Sequence, residues 1–195
     1  MIGTLFSEDA EFNCDAKIMV QMIDLGDSDE RQAAQITKLS NTQNKIEGKD
    51  FASLDPNQER LRMELNLAGI QYLYKSGAKI EDSTHQISLD ETIISQACIL
   101  DDLSIVALVK RNIGALTEDI TKTPYQLLFN GGTNSFTMFN GVQVLRSVET
   151  CINRSESGVT GRMRLVLIHG NRFLLHMILL QIKESPEFKH SLFYL

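Results

Sequence analysis

The chain of 195 residues has no tryptophan, only three prolines and only three cysteines. Cys14, Cys98 and Cys151 stand far apart, and none of them forms the C-x-x-C pair of a zinc knuckle or a thioredoxin-type redox motif. An odd number of widely spaced cysteines is typical of free thiols in a reducing compartment. Residues 1–12 also lack the basic start and apolar core of a signal peptide, so we expect a cytoplasmic protein.

The sequence also lacks an uninterrupted hydrophobic run of about 18 residues, the length typical of a membrane-spanning helix. The longest apolar stretch, residues 173–180, is interrupted by His176 and lies between Arg172 and Lys183. We therefore predict that this stretch belongs to a buried helix and that the protein has no membrane partner.

Basic residues are scarce in the first half of the chain and acidic residues in the second. The net charge is -6, and we count 9 basic and 17 acidic residues in 1–100 against 7 basic and 2 acidic in 122–183. An acidic polymer such as nucleic acid would prefer the C-terminal half. Alternatively, its arginines pair with the acidic N-terminal half of the same chain or are simply solvated. The candidate phosphate contacts are Arg146, Arg162, Arg164 and Arg172, with Arg154 between them.

Apolar spacing and capping patterns predict a predominantly helical α+β fold in a single domain, residues 1–195, with one or two strands near the N-terminus. Residues 17–24 are the clearest strand, and residues 28–43 follow as a helix. A weak subdivision is expected near residues 115–123. The last long helix is predicted over residues 162–183, at the centre of the C-terminal half, and the apolar tail after it is expected to dock.

The middle of the chain has clear helix-start signals. Asp55 followed by Pro56 predicts the N-terminus of a helix, which we expect to end at residues 75–77 because of Gly77. Residues 78–87 are expected to form a polar loop or a short hairpin. Ser88 and Glu91 then have the spacing of a capping box, which starts another helix.

No complete catalytic constellation occurs in the sequence. Asp24 or Asp27, followed by Glu47-x-Lys49, resembles in spacing the carboxylates and lysine of a metal-dependent nuclease. In such a site Glu-x-Lys would lie on a strand, whereas here we predict a short charged connection between two helices. We therefore expect a solvated turn, no metal site, no cofactor and no catalytic residue, which favours a chain that is not an enzyme by itself.

A dense run of amides and hydroxyls is the most informative polar feature. Amides at a helix C-terminus can hydrogen-bond backbone groups and lock a corner, here against residues 51–56. They can equally contact base edges or phosphates. Both interpretations stay open for the four candidate binding residues, Thr37, Asn41, Gln43 and Asn44.

These residues belong to a longer pattern, I-T-x-x-x-N-x-Q-N-x-I at 36–46, followed by D-P-x-Q at 55–58 and an aromatic-Lys pair at 74–75. The pattern resembles the AIPR family, which is named for abortive infection and phage resistance in bacteria. The resemblance extends from about Ala16 to about Lys183, which would be the C-terminal half of the family's region. It implies that the chain is a region of a larger protein whose nuclease-like segment lies further N-terminal.

The resemblance supports two hypotheses about function. In the first, the chain is a non-catalytic nucleic-acid-binding or regulatory module of a nuclease-type phage-defence protein. In the second, it is a protein-interaction or oligomerisation module that senses infection. The partners expected under these hypotheses are nucleic acid, a phage or host protein, or further copies of the chain in a homo-oligomer.

Overall fold

The computed structural model describes residues 48–75, 78–156 and 158–193, which belong to a compact unit spanning residues 45–195. The strand expected at 17–24, the helix expected at 28–43 and the amide cluster lie outside these residues. Within them the helices are α1 Gly48–Ala52, α2 Pro56–Leu67, α3 Leu89–Ile99, α4 Leu103–Arg111, α5 Tyr125–Leu128, α6 Ser135–Glu156, α7 Gly161–Ile182 and α8 Pro186–His190, with a 3-10 helix at Ile113–Leu116. The strands are β1 Gln71–Leu73 and β2 Gln86–Ser88.

The predominantly helical α+β class is confirmed, but several local predictions are wrong. The charged connection expected at residues 47–50 is in part helical, because α1 begins at Gly48. Helix α2 begins as predicted, with Asp55 Oδ1 accepting from the Asn57 N–H at 3.0 Å, yet it ends at Leu67 and not at residues 75–77. Gly69 adopts a φ of 78°, a left-handed conformation that favours glycine and stops the helix.

The segment after Gly69 forms a strand because its apolar residues alternate. Ile70, Tyr72 and Tyr74 are buried, while Gln71 and Lys75 are exposed. Strands β1 and β2 pair in parallel, with Tyr72 opposite Ile87. The hairpin alternative for residues 78–87 is therefore wrong, since a hairpin would pair antiparallel strands.

Helix α6 runs along both hydrophobic clusters of the described unit. Near its start, Phe139 and Val142 belong to the first cluster, which joins α2, the sheet, α3 and α5. Further along, Leu145 and Val148 belong to the second, which joins α3, α4, α7 and α8. At Gly141 an added Cβ would lie 3.1 Å from the Cβ of Ser95, so glycine lets α6 approach α3 closely. The first cluster also contains Leu116, within the subdivision expected near residues 115–123, and Tyr125, just after it.

Helix α7 lies within one residue of the predicted bounds at each end, but its burial differs from the prediction. Leu175 and Leu179 are fully buried against Leu145 and Val148 of α6, as expected, whereas Phe139 belongs to the other cluster. Residues 161–166 are exposed on every side, and Phe173 and Met177 of the second half are exposed as well. Its length and composition meet the criterion for a membrane span, which core helices of soluble proteins also meet.

The side-chain amide of Asn140 hydrogen-bonds the C-terminal tail to the domain. Asn140 is fully buried in α6, and its Nδ2 donates to the carbonyls of Phe188 at 2.9 Å and Ser191 at 2.6 Å. Its Oδ1 accepts from the Phe193 N–H at 2.7 Å. These bonds hold the ring of Phe188 in the second cluster, which confirms the expectation that the tail packs onto the domain.

Candidate functional site

The solvent side of α6 carries a polar depression, here called the α6 cleft. Its volume is about 390 Å³. Residues three, four and seven positions apart on a helix share one face, so polar side chains at this spacing line a continuous wall. The opposite wall comes from the turn before β2. The lining residues are Ser83 and Thr84 of that turn and Gln143, Arg146, Ser147, Thr150, Cys151 and Arg154 of α6.

Arg146 fixes the two walls of the cleft to each other. Its Nε donates to Glu91 Oε1 at 2.7 Å and its Nη2 to Glu91 Oε2 at 2.9 Å, a bidentate pair in which both side chains are about four-fifths buried. The same guanidinium donates to the carbonyls of Ser83 and, at 2.8 Å, of Gln86. Most of its hydrogen-bonding capacity is thus used within the protein, and Arg146 forms part of the wall.

Glu91, which binds Arg146, also caps the N-terminus of α3. Its Oε2 accepts from the backbone N–H and the hydroxyl of Ser88, both at 2.9 Å, which completes the predicted capping box of α3. One carboxylate therefore joins the start of α3 to α6. The turn with Ser83 and Thr84 is held against α6 as a consequence, so the shape of the cleft is preorganised.

Gln143 is the unusual residue of the cleft. Its side chain is only 6% exposed, and its Nε2 has no hydrogen-bond partner among the described residues. Leaving such a donor unpaired costs about 1–3 kcal/mol. Nε2 itself is buried, so an acceptor on a bound ligand would satisfy this amide once the side chain turns it toward the cleft.

The lining of the cleft favours an anionic, acceptor-rich ligand. It has two guanidinium groups, four hydroxyls and one amide, and no lining residue is acidic. Thr150 donates its proton to the Arg146 carbonyl at 2.8 Å, which leaves the oxygen free to accept. No histidine lines the cleft either, so it offers charge and hydrogen bonds but no ordinary general base.

The other predicted arginines lie on α7, outside the cleft. Arg172 donates to Glu149 Oε1 at 2.8 Å and is only 16% exposed. Arg164 donates twice to Glu156 Oε1, at 2.9 and 2.6 Å, and is 56% exposed. The third, Arg162, is exposed and has no partner within the described residues. The only two acidic residues between 122 and 183 therefore pair with arginines. The alternative interpretation expected partners in the acidic N-terminal half, and among these arginines Arg146 has such a partner in Glu91.

The other predicted binding residues, Thr37, Asn41, Gln43 and Asn44, lie outside the described residues, as do Asp24, Asp27 and Glu47. The part of the chain that the structure describes has no group of three or more His, Cys, Asp or Glu side chains that could hold a metal ion. Among the candidates, the structure brings Arg146 and the neighbouring Arg154 into one cleft. It places Arg162, Arg164 and Arg172 on a different helix.

The D-P-x-Q motif has a structural role in a buried chain of hydrogen bonds. Tyr125 donates to Asp55 Oδ2 at 2.8 Å, and Gln58 Nε2 donates to the Tyr125 hydroxyl at 3.0 Å. Tyr72 donates to Gln58 Oε1 at 2.6 Å and lies 3.2 Å from the Thr92 hydroxyl. Burial raises the pKa of both tyrosines, so both stay neutral donors.

Sequence reasoning missed Gln143 and the turn at Ser83 and Thr84. A signal existed for the α6 wall, because Gln143, Ser147 and Thr150 recur at helical spacing on one face of the helix. Nothing local indicates that the Gln143 amide is buried and unpaired. Ser83 lies 63 positions before Arg146, and only the fold brings the two together.

A family model described as AIPR protein matches residues 4–101, which are 98 of the 195 residues. The match begins and ends earlier than the expected resemblance, from about Ala16 to about Lys183. It includes the D-P-x-Q motif, Ser83, Thr84 and Glu91, whereas the α6 wall lies beyond it. No curated protein and no solved structure matches the chain. The chain belongs to the AIPR family, and this membership implies a role in abortive infection and defence against phage.

Proposed function

We propose that this chain is a non-catalytic nucleic-acid-binding module of a phage-defence protein, that it acts in the cytoplasm, and that the α6 cleft holds the phosphodiester backbone. The observation that carries the proposal is the Gln143 amide, which is buried, unpaired and part of the cleft lining. Phosphate oxygens are acceptors with negative charge, so they suit an amide donor in a cleft whose lining has hydroxyls and guanidinium groups and no acidic residue.

The dimensions of the cleft fit a part of a strand. A volume of about 390 Å³ is near the lower end of the range for small-molecule sites, so the cleft can accommodate a phosphate and part of its sugar. Backbone contacts of this kind position a nucleic acid without reading its sequence. Because Glu91 neutralises Arg146, we expect modest affinity that depends on salt and little on sequence.

The proposal is tested by fluorescence anisotropy with labelled single-stranded DNA, duplex DNA and RNA at two salt concentrations. Arg154→Ala and Arg162→Ala each remove one positive charge, but only Arg154 lines the cleft. We expect Arg154→Ala to weaken binding about tenfold and to reduce the salt slope by about one, whereas Arg162→Ala keeps parental affinity.

Gln143→Leu provides an uncharged test of the same contact. It should weaken binding severalfold without changing the salt slope, since no charge is lost. Thermal melting of each variant shows whether the fold is retained. No anisotropy change at low salt, or equal losses for Arg154→Ala and Arg162→Ala, would contradict binding in the cleft.

A further inference from the structure

The Thr150 hydroxyl has a fixed role in the hydrogen bonding of the α6 cleft. It donates its proton to the Arg146 carbonyl at 2.8 Å, one turn earlier in the same helix. The Thr150 side chain is exposed and lines the cleft. While this bond is kept, the hydroxyl oxygen has lone pairs but no proton to offer, so it can only accept a hydrogen bond from a ligand.

The other polar groups of the lining are mainly donors. Arg154 and the side-chain amide of Gln143 offer N–H groups, and a guanidinium group has no acceptor atom. The hydroxyls of Ser83 and Ser147 have no fixed partner among the described residues, so they can rotate to donate to phosphate oxygens. A phosphodiester is ionised, however, and has no proton to give to the Thr150 oxygen. The lining therefore suits a ligand that carries a hydrogen-bond donor beside its phosphate.

The 2′-hydroxyl of ribose is such a donor, and it is the group by which a protein distinguishes RNA from DNA. It stands on the carbon next to the one that bears the 3′-phosphate. Thr150 and Arg154 are four residues apart on α6, so their Cβ atoms are about 5–6 Å apart on one face of the helix. One ribose and its phosphate can therefore contact both side chains together.

We infer that the α6 cleft selects RNA over DNA, and that Thr150 determines this preference by accepting a hydrogen bond from a ribose 2′-hydroxyl. The inference rests on the proposed function, since it names the class of nucleic acid that the cleft binds. The cleft volume of about 390 Å³ accommodates a phosphate and part of its sugar, and the 2′-hydroxyl is part of that sugar. The preference does not depend on base sequence, because the sugar carries no sequence information.

The acceptor is oriented before the ligand binds. The carbonyl that receives the Thr150 proton belongs to Arg146, whose guanidinium is fixed by Glu91 at 2.7 Å. A group that is already held in its binding conformation loses little freedom when the complex forms. We therefore expect most of one hydrogen bond to contribute to the discrimination between ribose and deoxyribose.

Fluorescence anisotropy with three labelled single strands of the same base sequence tests the inference. The strands are RNA, DNA with uracil in place of thymine, and 2′-fluoro RNA. Fluorine at the 2′ position keeps the sugar pucker of RNA but has no proton, so it separates hydrogen-bond donation from strand conformation. RNA should bind the parental chain about fivefold more tightly than either of the other strands, which corresponds to one net hydrogen bond.

Thr150→Val and Thr150→Ser are the matched variants. Valine keeps the shape of the side chain without its hydroxyl, so it should abolish the preference for RNA and leave the affinity for DNA at the parental value. Serine keeps the hydroxyl and should keep the preference. Equal binding of RNA and 2′-fluoro RNA by the parental chain, or a preference that persists in Thr150→Val, would overturn the inference while leaving binding in the cleft intact. Absence of binding to all three strands would contradict the proposed function and the inference with it.

Discussion

Asn140→Ala should release the C-terminal tail from the domain. The Asn140 side chain is fully buried and makes three hydrogen bonds, to the carbonyls of Phe188 and Ser191 and from the N–H of Phe193. Alanine removes all three and leaves backbone groups without partners. Since the ring of Phe188 is fully buried beside α6, loss of these bonds should loosen the tail together with the second hydrophobic cluster.

The expected magnitude follows from the number of bonds. At about 1 kcal/mol net for each hydrogen bond, three bonds give a loss of about 3 kcal/mol in the free energy of unfolding. If the tail detaches before the rest of the domain unfolds, water satisfies the freed groups and the global loss is smaller. In that case the chain should become sensitive to trypsin at Lys189, within the released tail.

Urea denaturation followed by circular dichroism, combined with limited trypsin digestion, measures both outcomes. Asn153→Ala is the control, because Asn153 lies on the same helix but is exposed, and its side chain has no hydrogen bond among the described residues. The reasoning is refuted if Asn140→Ala unfolds within about 0.5 kcal/mol of the parent, the usual range for surface substitutions, and its tail stays resistant to trypsin.

Three further substitution and labelling experiments examine the second cluster and the ion pairs of α7. Leu175→Ala should reduce the free energy of unfolding by about 2–5 kcal/mol, measured in urea, because the side chain is fully buried; a silent variant would contradict this packing. Arg172→Ala should reduce the free energy of unfolding by about 1.5 kcal/mol, since the Arg172 side chain is mostly buried. Arg164→Ala should reduce it by less than about 0.5 kcal/mol, because the Arg164 side chain is exposed. Equal losses for the two variants would refute this distinction. Burial raises the pKa of the Cys98 thiol to about 12, so iodoacetamide at neutral pH should modify exposed Cys151 and spare Cys98 until the chain is unfolded, which mass spectrometry can map.

Helix starts could be predicted from the sequence because they depend on residues only two or three positions apart. Asp55 caps α2, and Ser88 with Glu91 forms the capping box of α3, as expected. The end of α2 could not be predicted in this way. Leu65 and Tyr72 fit a helical stripe as well as they fit a helix followed by a strand, and only the conformation of Gly69 decides between them.

The candidate site depended on distant pairings that the sequence does not reveal. Arg146 was proposed as a phosphate contact, but its partner Glu91 stands 55 positions earlier in the chain. The apolar pattern of α7 indicated a helix with a wide apolar face, which is what the chain has. Which part of that face is covered depends on the position of α6, so residues 173–180 were predicted to lie in a buried helix although Phe173, Leu174 and Met177 are exposed.

The most direct test of the α6 cleft is the side-chain amide resonance of Gln143 in a ¹⁵N-labelled sample, assigned by its loss in Gln143→Leu. The central claim is that this buried amide donates to a phosphate of a bound nucleic acid. Titration with a short single-stranded oligonucleotide should shift the resonance progressively and to saturation, and raising the salt concentration should reverse the shift. An unchanged Gln143 resonance, while signals from residues around Arg162 on α7 move, would place the contact elsewhere and contradict the account.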